Sequence, residues 1–161
     1  HSQILKILKL FLLVYFLFYT KKLISAVLYK VTYKRKTMHR ITGMNDTERA
    51  IIFKLYNSKG YTCDLDYNQP LIQGLLAQNY IYMGGQQQVT LDVFSNCIPV
   101  RFTLQPFVYQ TLDYYRFKIE KHIEKMEKRV SRTKDVSKKE KLRSEISIIR
   151  ENYDYMYGGK I

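Results

Sequence analysis

From Ile4 to Thr20 the chain is apolar except for Lys6 and Lys9, and Lys21, Lys22, Lys30, Lys34, Arg35, Lys36 and Arg40 follow within twenty residues. No acidic residue occurs before Asp46. An apolar stretch running into an uncompensated basic collar reads as a membrane helix with its cationic end on the cytoplasmic side. The uncharged part, Leu10 to Thr20, is shorter than the roughly 20 residues that cross a hydrocarbon core. The span therefore recruits the Ile4–Lys9 turn or continues past Lys21, and lysines that extend their ammonium groups toward the interface permit either. Leu10, Phe11, Leu12, Leu13, Val14, Tyr15, Phe16, Leu17 and Phe18 are the candidate anchor, and Lys21, Lys22, Lys34, Arg35 and Lys36 are candidates for binding lipid headgroups. An interfacial amphipathic helix and a buried core helix are the alternatives. A cleaved signal peptide fits less well, because Lys21 and Lys22 stand where a small-residue cleavage site is needed. The sequence opens at His1 without an initiator methionine, so residues upstream of it are expected, and any earlier spanning helix among them would not be visible here.

The net charge of +13 is unevenly spread. Residues 1–40 carry +9, residues 41–115 carry −2 and residues 116–161 carry +6. A pI near 9.7 raises the question of nucleic acid. The stretch that reads most like a folded module is slightly acidic, however, and the basic ends match anionic headgroups better. About 120 residues after the anchor suffice for one small domain with an appendage. Two cysteines, Cys63 and Cys97, make neither a disulfide framework nor a four-ligand zinc site. Fifteen tyrosines, with abundant lysine and isoleucine and little alanine, resemble the usage of an AT-rich genome, which suggests a bacterial or phage origin and a bacterial cell membrane.

Downstream of the collar, Asn45 followed three residues later by Glu48 predicts a capping box. The helix it opens carries Ala50, Ile51, Ile52, Phe53 and Leu55, and should stop near Asn57-Ser58-Lys59-Gly60. Tyr61–Leu65 reads as a strand. Gln69-Pro70 starts a second helix with Leu71, Ile72, Leu75 and Leu76 on its buried side, ending at Gln78-Asn79. Tyr80–Met83, Val89–Phe94 and Val100–Leu104 read as strands of a ribbon or wing. Pro106 opens a helix bearing Phe107, Val108, Leu112 and Tyr115. This order resembles a winged helix with one core helix missing, unless residues 31–42 supply it.

Beyond Tyr115, Ile119, Ile123, Met126 and Val130 are spaced 4, 3, 4, a heptad seam. Leu142, Ile146, Ile149, Tyr153 and Met156 form a second seam two residues out of phase. A break between them is expected. Ser137 and Glu140 offer a capping box there, so residues 131–137 read as the turn of an antiparallel pair, with one stuttered helix as the alternative. The seam residues Ile119, Ile123, Met126, Val130, Leu142, Ile146 and Ile149 are equally candidates for oligomerisation.

No catalytic constellation emerges. His39 and His122 have no nucleophile context. Asp64 and Asp66 share a strand face, which reads as a solvated edge more readily than as a cation site. Gly84-Gly85 lacks the lysine and the strand-loop-helix setting of a phosphate loop and reads as a turn. The candidate DNA-reading helix, Gln69–Asn79, has Gln69, Gln73, Gln78 and Asn79 but no cation, so it is poorly equipped for phosphate. Neither a metal nor a cofactor is expected.

Several segments carry a family resemblance. They are Met44-Asn45-Asp46-Thr47-Glu48-Arg49-Ala50-Ile51 after the anchor and collar, then Leu71-Ile72-Gln73-Gly74-Leu75 with Asn79-Tyr80-Ile81-Tyr82, and finally Phe102-Thr103-Leu104-Gln105-Pro106-Phe107-Val108-Tyr109-Gln110-Thr111-Leu112. In their order and spacing, residues 8–115 resemble the superinfection exclusion protein B family of phage and prophage membrane proteins. The resemblance implies a short membrane anchor with a small cytoplasmic domain, and a role in blocking the development of an incoming phage. The chain departs from the family pattern where a first spanning helix is expected, at Phe107 and Tyr109 where tryptophans are common, and in the extension from residue 116.

Together these readings give an α+β chain of three parts: anchor and collar over 1–40, a winged-helix-like cytoplasmic module over 41–115, and a charged helical extension over 116–161, either hairpin or coiled coil. The expected partners are membrane lipid and a phage or host protein, with self-association at the seams and with nucleic acid as the weaker case. Tyr80, Tyr82, Gln86, Gln87 and Gln88, read as exposed around the wing, are the candidate partner surface.

Overall fold

The structure, a computed structural model, describes residues 2–84 and 99–157, with side chains from Lys9 onward. It divides into two units, residues 1–39 and residues 40–161. The first is a single helix. α1 runs unbroken over Ser2–Thr42, its last three residues belonging to the second unit. Forty-one residues at about 1.5 Å each give a rod of about 60 Å, twice the thickness of a hydrocarbon core. Residues 31–42 are its last turns, so they do not form the separate third helix the winged-helix reading requires.

Within residues 40–161, α2 covers Asp46–Asn57. Its start is fixed as the sequence predicts: the Asn45 side chain accepts from the Glu48 N–H at 2.8 Å, while Glu48 accepts from the Asn45 N–H at 3.2 Å. The helix ends at Ser58, and a short 3₁₀ turn, Lys59–Tyr61, reverses the chain through Gly60 at φ 69°. Tyr61 belongs to this turn and not to the strand, and its φ of 58° is unusual for a bulky residue. Its ring stacks on Tyr109 with centroids 4.5 Å apart and planes within 6°, a contact that offsets the backbone cost.

Three strands form one antiparallel sheet in the order β1 (Thr62–Asp66), β3 (Pro99–Leu104), β2 (Ile81–Met83). Cys63 lies opposite Phe102, and Ile81 opposite Leu104. Between β1 and β2 lies α3, Pro70–Ala77. Asn79 closes it at φ 58°, a conformation asparagine tolerates. Gly84 leaves β2 so close to β3 that a Cβ there would meet Thr103 Oγ1 at 2.6 Å. The predicted strand Val89–Phe94 lies outside the described residues.

The core is built from one stripe of each element: Ile52 and Leu55 of α2, Ile72 and Leu75 of α3, Ile81, Phe102 and Leu104 of the sheet, and Val108 and Leu112 of α4, all at most 1% exposed. α4 spans Pro106–Arg132 without a break, so the composition shift near residue 115 falls inside a helix. α5 covers Val136–Tyr157 and returns antiparallel to α4. Residues 133–135 make the turn. The cap is Asp135, whose carboxylate accepts from the Lys138 N–H at 3.3 Å, in place of the predicted Ser137. An aspartate one residue before the first turn both satisfies an orphan N–H and complements the helix dipole.

Candidate functional site

The root of the hairpin is where α2, α4 and α5 meet, and tyrosines make the junction. Tyr153 and Tyr157, one turn apart on α5, are buried with rings 5.0 Å apart. Tyr157 meets Phe53 and Tyr56 of α2 edge-on, both at 5.7 Å. The Tyr56 hydroxyl donates to Asp113 Oδ1 at 2.6 Å and ties α2 to α4. Arg116 and Glu120, one turn apart on α4, share an ion pair at 3.1 Å. Between them sits the Tyr153 hydroxyl, which donates to Glu120 Oε1 at 2.6 Å and accepts from Arg116 Nε at 2.8 Å. The charge-assisted bonds bridge α4 and α5.

These contacts set the electrostatics. The hydrogen bond from Tyr153 holds the Glu120 carboxyl below its usual value, with Arg116 adding to the effect. Burial pushes the Tyr157 phenol up to about 12. Burial, then the bond to Asp113, raises Tyr56 as well. Burial and the bond to Glu120 raise Tyr153. Hydrogen bonds to Tyr56 and Glu120 reinforce the Arg116 cation. The cluster therefore stays neutral at its phenols and ionised at its ion pair near neutral pH.

Beside this junction is an open cavity of about 580 Å³, with Ile41, Ala50 and Phe53 on one side and Tyr155 and Met156 on the other. Asp46, Arg49, Lys54, Asn57 and Asn152 supply polar groups. Arg49 pairs with Asp46 and donates to the Thr42 carbonyl at 3.1 Å, which holds the cavity's edge. A volume of this size, apolar with a few polar groups, is that of a ligand or peptide pocket. Chemical equipment for catalysis is sparse. Among the described residues no three His, Cys, Asp or Glu side chains gather to hold a metal, and no buried side-chain nitrogen or oxygen lacks a hydrogen-bond partner. Asp64 pairs across the sheet with Arg101 at 3.0 Å. His122 is exposed on α4.

The residues singled out in the sequence fare differently. Leu10 to Phe18 are 57–72% exposed around the whole of α1, and no protein covers them. The apolar exposure resumes beyond Lys21 and Lys22 at Leu23, Ile24, Val27 and Leu28. Lys21, Lys22, Arg35 and Lys36 are exposed and Lys34 is half-buried. Tyr80, immediately before β2, is buried at 5% beside Phe107, its N–H donating to the Leu75 carbonyl and its carbonyl accepting from the Gln105 N–H, so it cannot be part of an exposed partner surface. Tyr82 is exposed on the same strand. Gln86, Gln87 and Gln88 lie outside the described residues. Ile123, Met126 and Ile146 form the buried centre of the hairpin, with Ile119, Val130, Leu142 and Ile149 packed against it. Both seams are thus used within one chain, which favours the hairpin and leaves little of either for a second copy. The 4, 3, 4, 3 spacing through Tyr153 and Met156 was the available signal that α5 continues into the core; the partners on α2 had no signal at all.

No family model, curated protein or solved structure matches the chain. What is established is a mostly helical α+β protein with one helix long and apolar enough to span a membrane, a property shared with signal sequences, and a compact unit with a small antiparallel sheet and a helix pair.

Proposed function

We propose that this chain is a membrane-anchored, non-enzymatic exclusion protein of phage or prophage origin. In this reading α1 anchors it in a bacterial cell membrane, and residues 40–161, on the cytoplasmic side, recognise a phage or host protein. The observation that carries the proposal is the open apolar cavity between α2 and α5, in a unit whose described buried side-chain nitrogens and oxygens are all hydrogen-bonded. The segment resemblance over residues 8–115 supports exclusion as the outcome of that recognition. Exposed Tyr82 is a further candidate contact.

The test is plaquing on bacteria that express the chain with its natural upstream sequence. Full-length protein should reduce plaques of at least one phage, and Tyr155→Glu combined with Ala50→Glu, both at exposed positions, should restore them without unfolding the unit. An unrelated anchor in place of α1 should preserve exclusion; loss on that exchange would instead make α1 a bilayer-perturbing effector. Unchanged plaquing across a broad phage panel overturns the proposal.

A membrane-tethered winged-helix DNA binder is the second reading. The strand order β1-β3-β2 with α3 ahead of the β2–β3 ribbon favours it. Against it, α3 has no Lys or Arg and its Ile72 and Leu75 face the core. It predicts duplex binding by the full chain that weakens steeply as salt rises.

A further inference from the structure

The net charge of the compact unit resides entirely in fifteen residues. Residues 129–143, the tip of the α4–α5 hairpin, carry seven cationic and two anionic side chains, a net +5. The rest of residues 40–161 carries twelve of each sign and is neutral. Within the tip, Lys138 lies 3.9 Å from Asp135. Among the described residues no carboxylate pairs with Arg129, Arg132, Lys134, Lys139, Lys141 or Arg143, and all but the half-buried Lys139 are exposed. Just after the turn, Val136 opens α5 at 69% exposure. Elsewhere in the hairpin the charges are matched, as with Lys128–Glu124 and Arg150–Glu127, each at 2.5 Å. A solvated coiled-coil surface mixes both signs along its length; this one gathers all of its net positive charge at its far end.

We propose that the hairpin tip is a second contact with an anionic lipid surface, distinct from the collar on α1. Polybasic segments bind such surfaces through the summed potential of several cations, within about a Debye length of the headgroups. An exposed valine at the first position of α5 is an apolar group of the kind that enters the headgroup boundary. α5, with 22 residues, is about 33 Å long, so the tip is held well away from the neutral root. Lipid is favoured over nucleic acid because chain continuity with α1, read as an anchor, keeps a bilayer at high effective concentration. The proposal depends on the anchor reading in that respect alone. The contact would fix how the compact unit lies against the membrane, and so which way its cavity faces.

The test uses the full chain in lipid nanodiscs of neutral or partly anionic composition. The readout is the rate of tryptic cleavage at Arg132 and Lys134, relative to exposed Lys59 in the same unit. In anionic discs this ratio should fall about tenfold, as expected for loss of access to a surface-bound segment. High salt should restore it, as should Arg129→Glu, Lys141→Glu and Arg143→Glu together, which take the tip from +5 to −1. Equal ratios in the two lipids overturn the proposal, whether or not the triple variant folds. So does a ratio that falls on addition of duplex DNA but not with anionic lipid, which would assign the tip to nucleic acid. Co-elution with neutral discs reads the anchor separately, so failure of either reading is seen independently of the other.

Discussion

α1 and the hairpin are both helical and both rich in long apolar and cationic side chains, yet they dispose of them in opposite ways. On α1, Leu10 to Phe18 are apolar on every face and remain exposed. In the hairpin, the buried and half-buried apolar residues of the seams occupy one stripe per helix, and each stripe covers the other. Apolarity all round a helix needs a surrounding apolar medium, whereas a stripe needs only one neighbour. The difference lies in periodicity as well as in the absence of acidic residues from α1. It explains why the same residue types serve as a candidate membrane segment in one region and as a protein core in the other.

The contrast can be broken by exchanging the two environments. The largest effect is expected from Val14→Asp with Leu17→Lys on α1. Each charge costs about 2.5–3.5 kcal/mol at a bilayer centre, so the pair should move the chain out of the membrane fraction on fractionation while the unfolding transition of residues 40–161 stays in place. Phe102→Ala should do the reverse. It removes a fully buried ring and should lower the stability of the compact unit by about 3–5 kcal/mol in denaturant titration, with membrane association retained.

Smaller changes sharpen the picture at the root. Tyr153→Phe keeps the buried ring but removes the hydroxyl shared by Arg116 and Glu120. A loss of about 1–2 kcal/mol is expected, together with an upward shift of the Glu120 titration seen by NMR. The phenols add a pH dependence. Because the folded state holds Tyr157 protonated, its contribution is complete below pH 10 and disappears as the pH rises through about 12. Thermal melts should therefore weaken across that window, with the tyrosinate absorbance of Tyr56 and Tyr157 appearing late in an alkaline titration. Asn45→Ala should cost about 1 kcal/mol through loss of the α2 cap.

Local signals carried much of the fold. The cap at Asn45, the prolines at Pro70 and Pro106 and the turn glycine at Gly60 each act within a few residues, and the helices and strands they bound were legible for that reason. The two seams were equally legible, since a heptad spacing specifies a stripe. It does not specify whether the stripe meets its own chain or another, and that depended on the turn at 133–135. Tyr80 failed for a different reason. It precedes the three-residue strand, so the alternation that would group it with exposed Tyr82 does not govern it; its backbone bonds to Leu75 and Gln105 hold it at the end of α3 with its ring beside Phe107. The cavity was not legible, because Ile41, Phe53 and Tyr155 come from three separate segments brought together only by tertiary packing. The composition shift near residue 115 marks a change of solvent exposure along α4, not the end of a structural unit.

The junction of Tyr56, Tyr153 and Tyr157 lies at one end of the hairpin and the Ile123–Met126–Ile146 cluster lies further out, so length and attachment are separable in this design. Removing one heptad from each arm beyond Ile123 would shorten the hairpin by about 10 Å and leave the root untouched. Removing three or four residues from one arm alone would instead rotate its stripe away from the other. The hairpin can therefore act as an adjustable spacer, its reach open to change in steps of paired heptads while the cavity at its base stays the same.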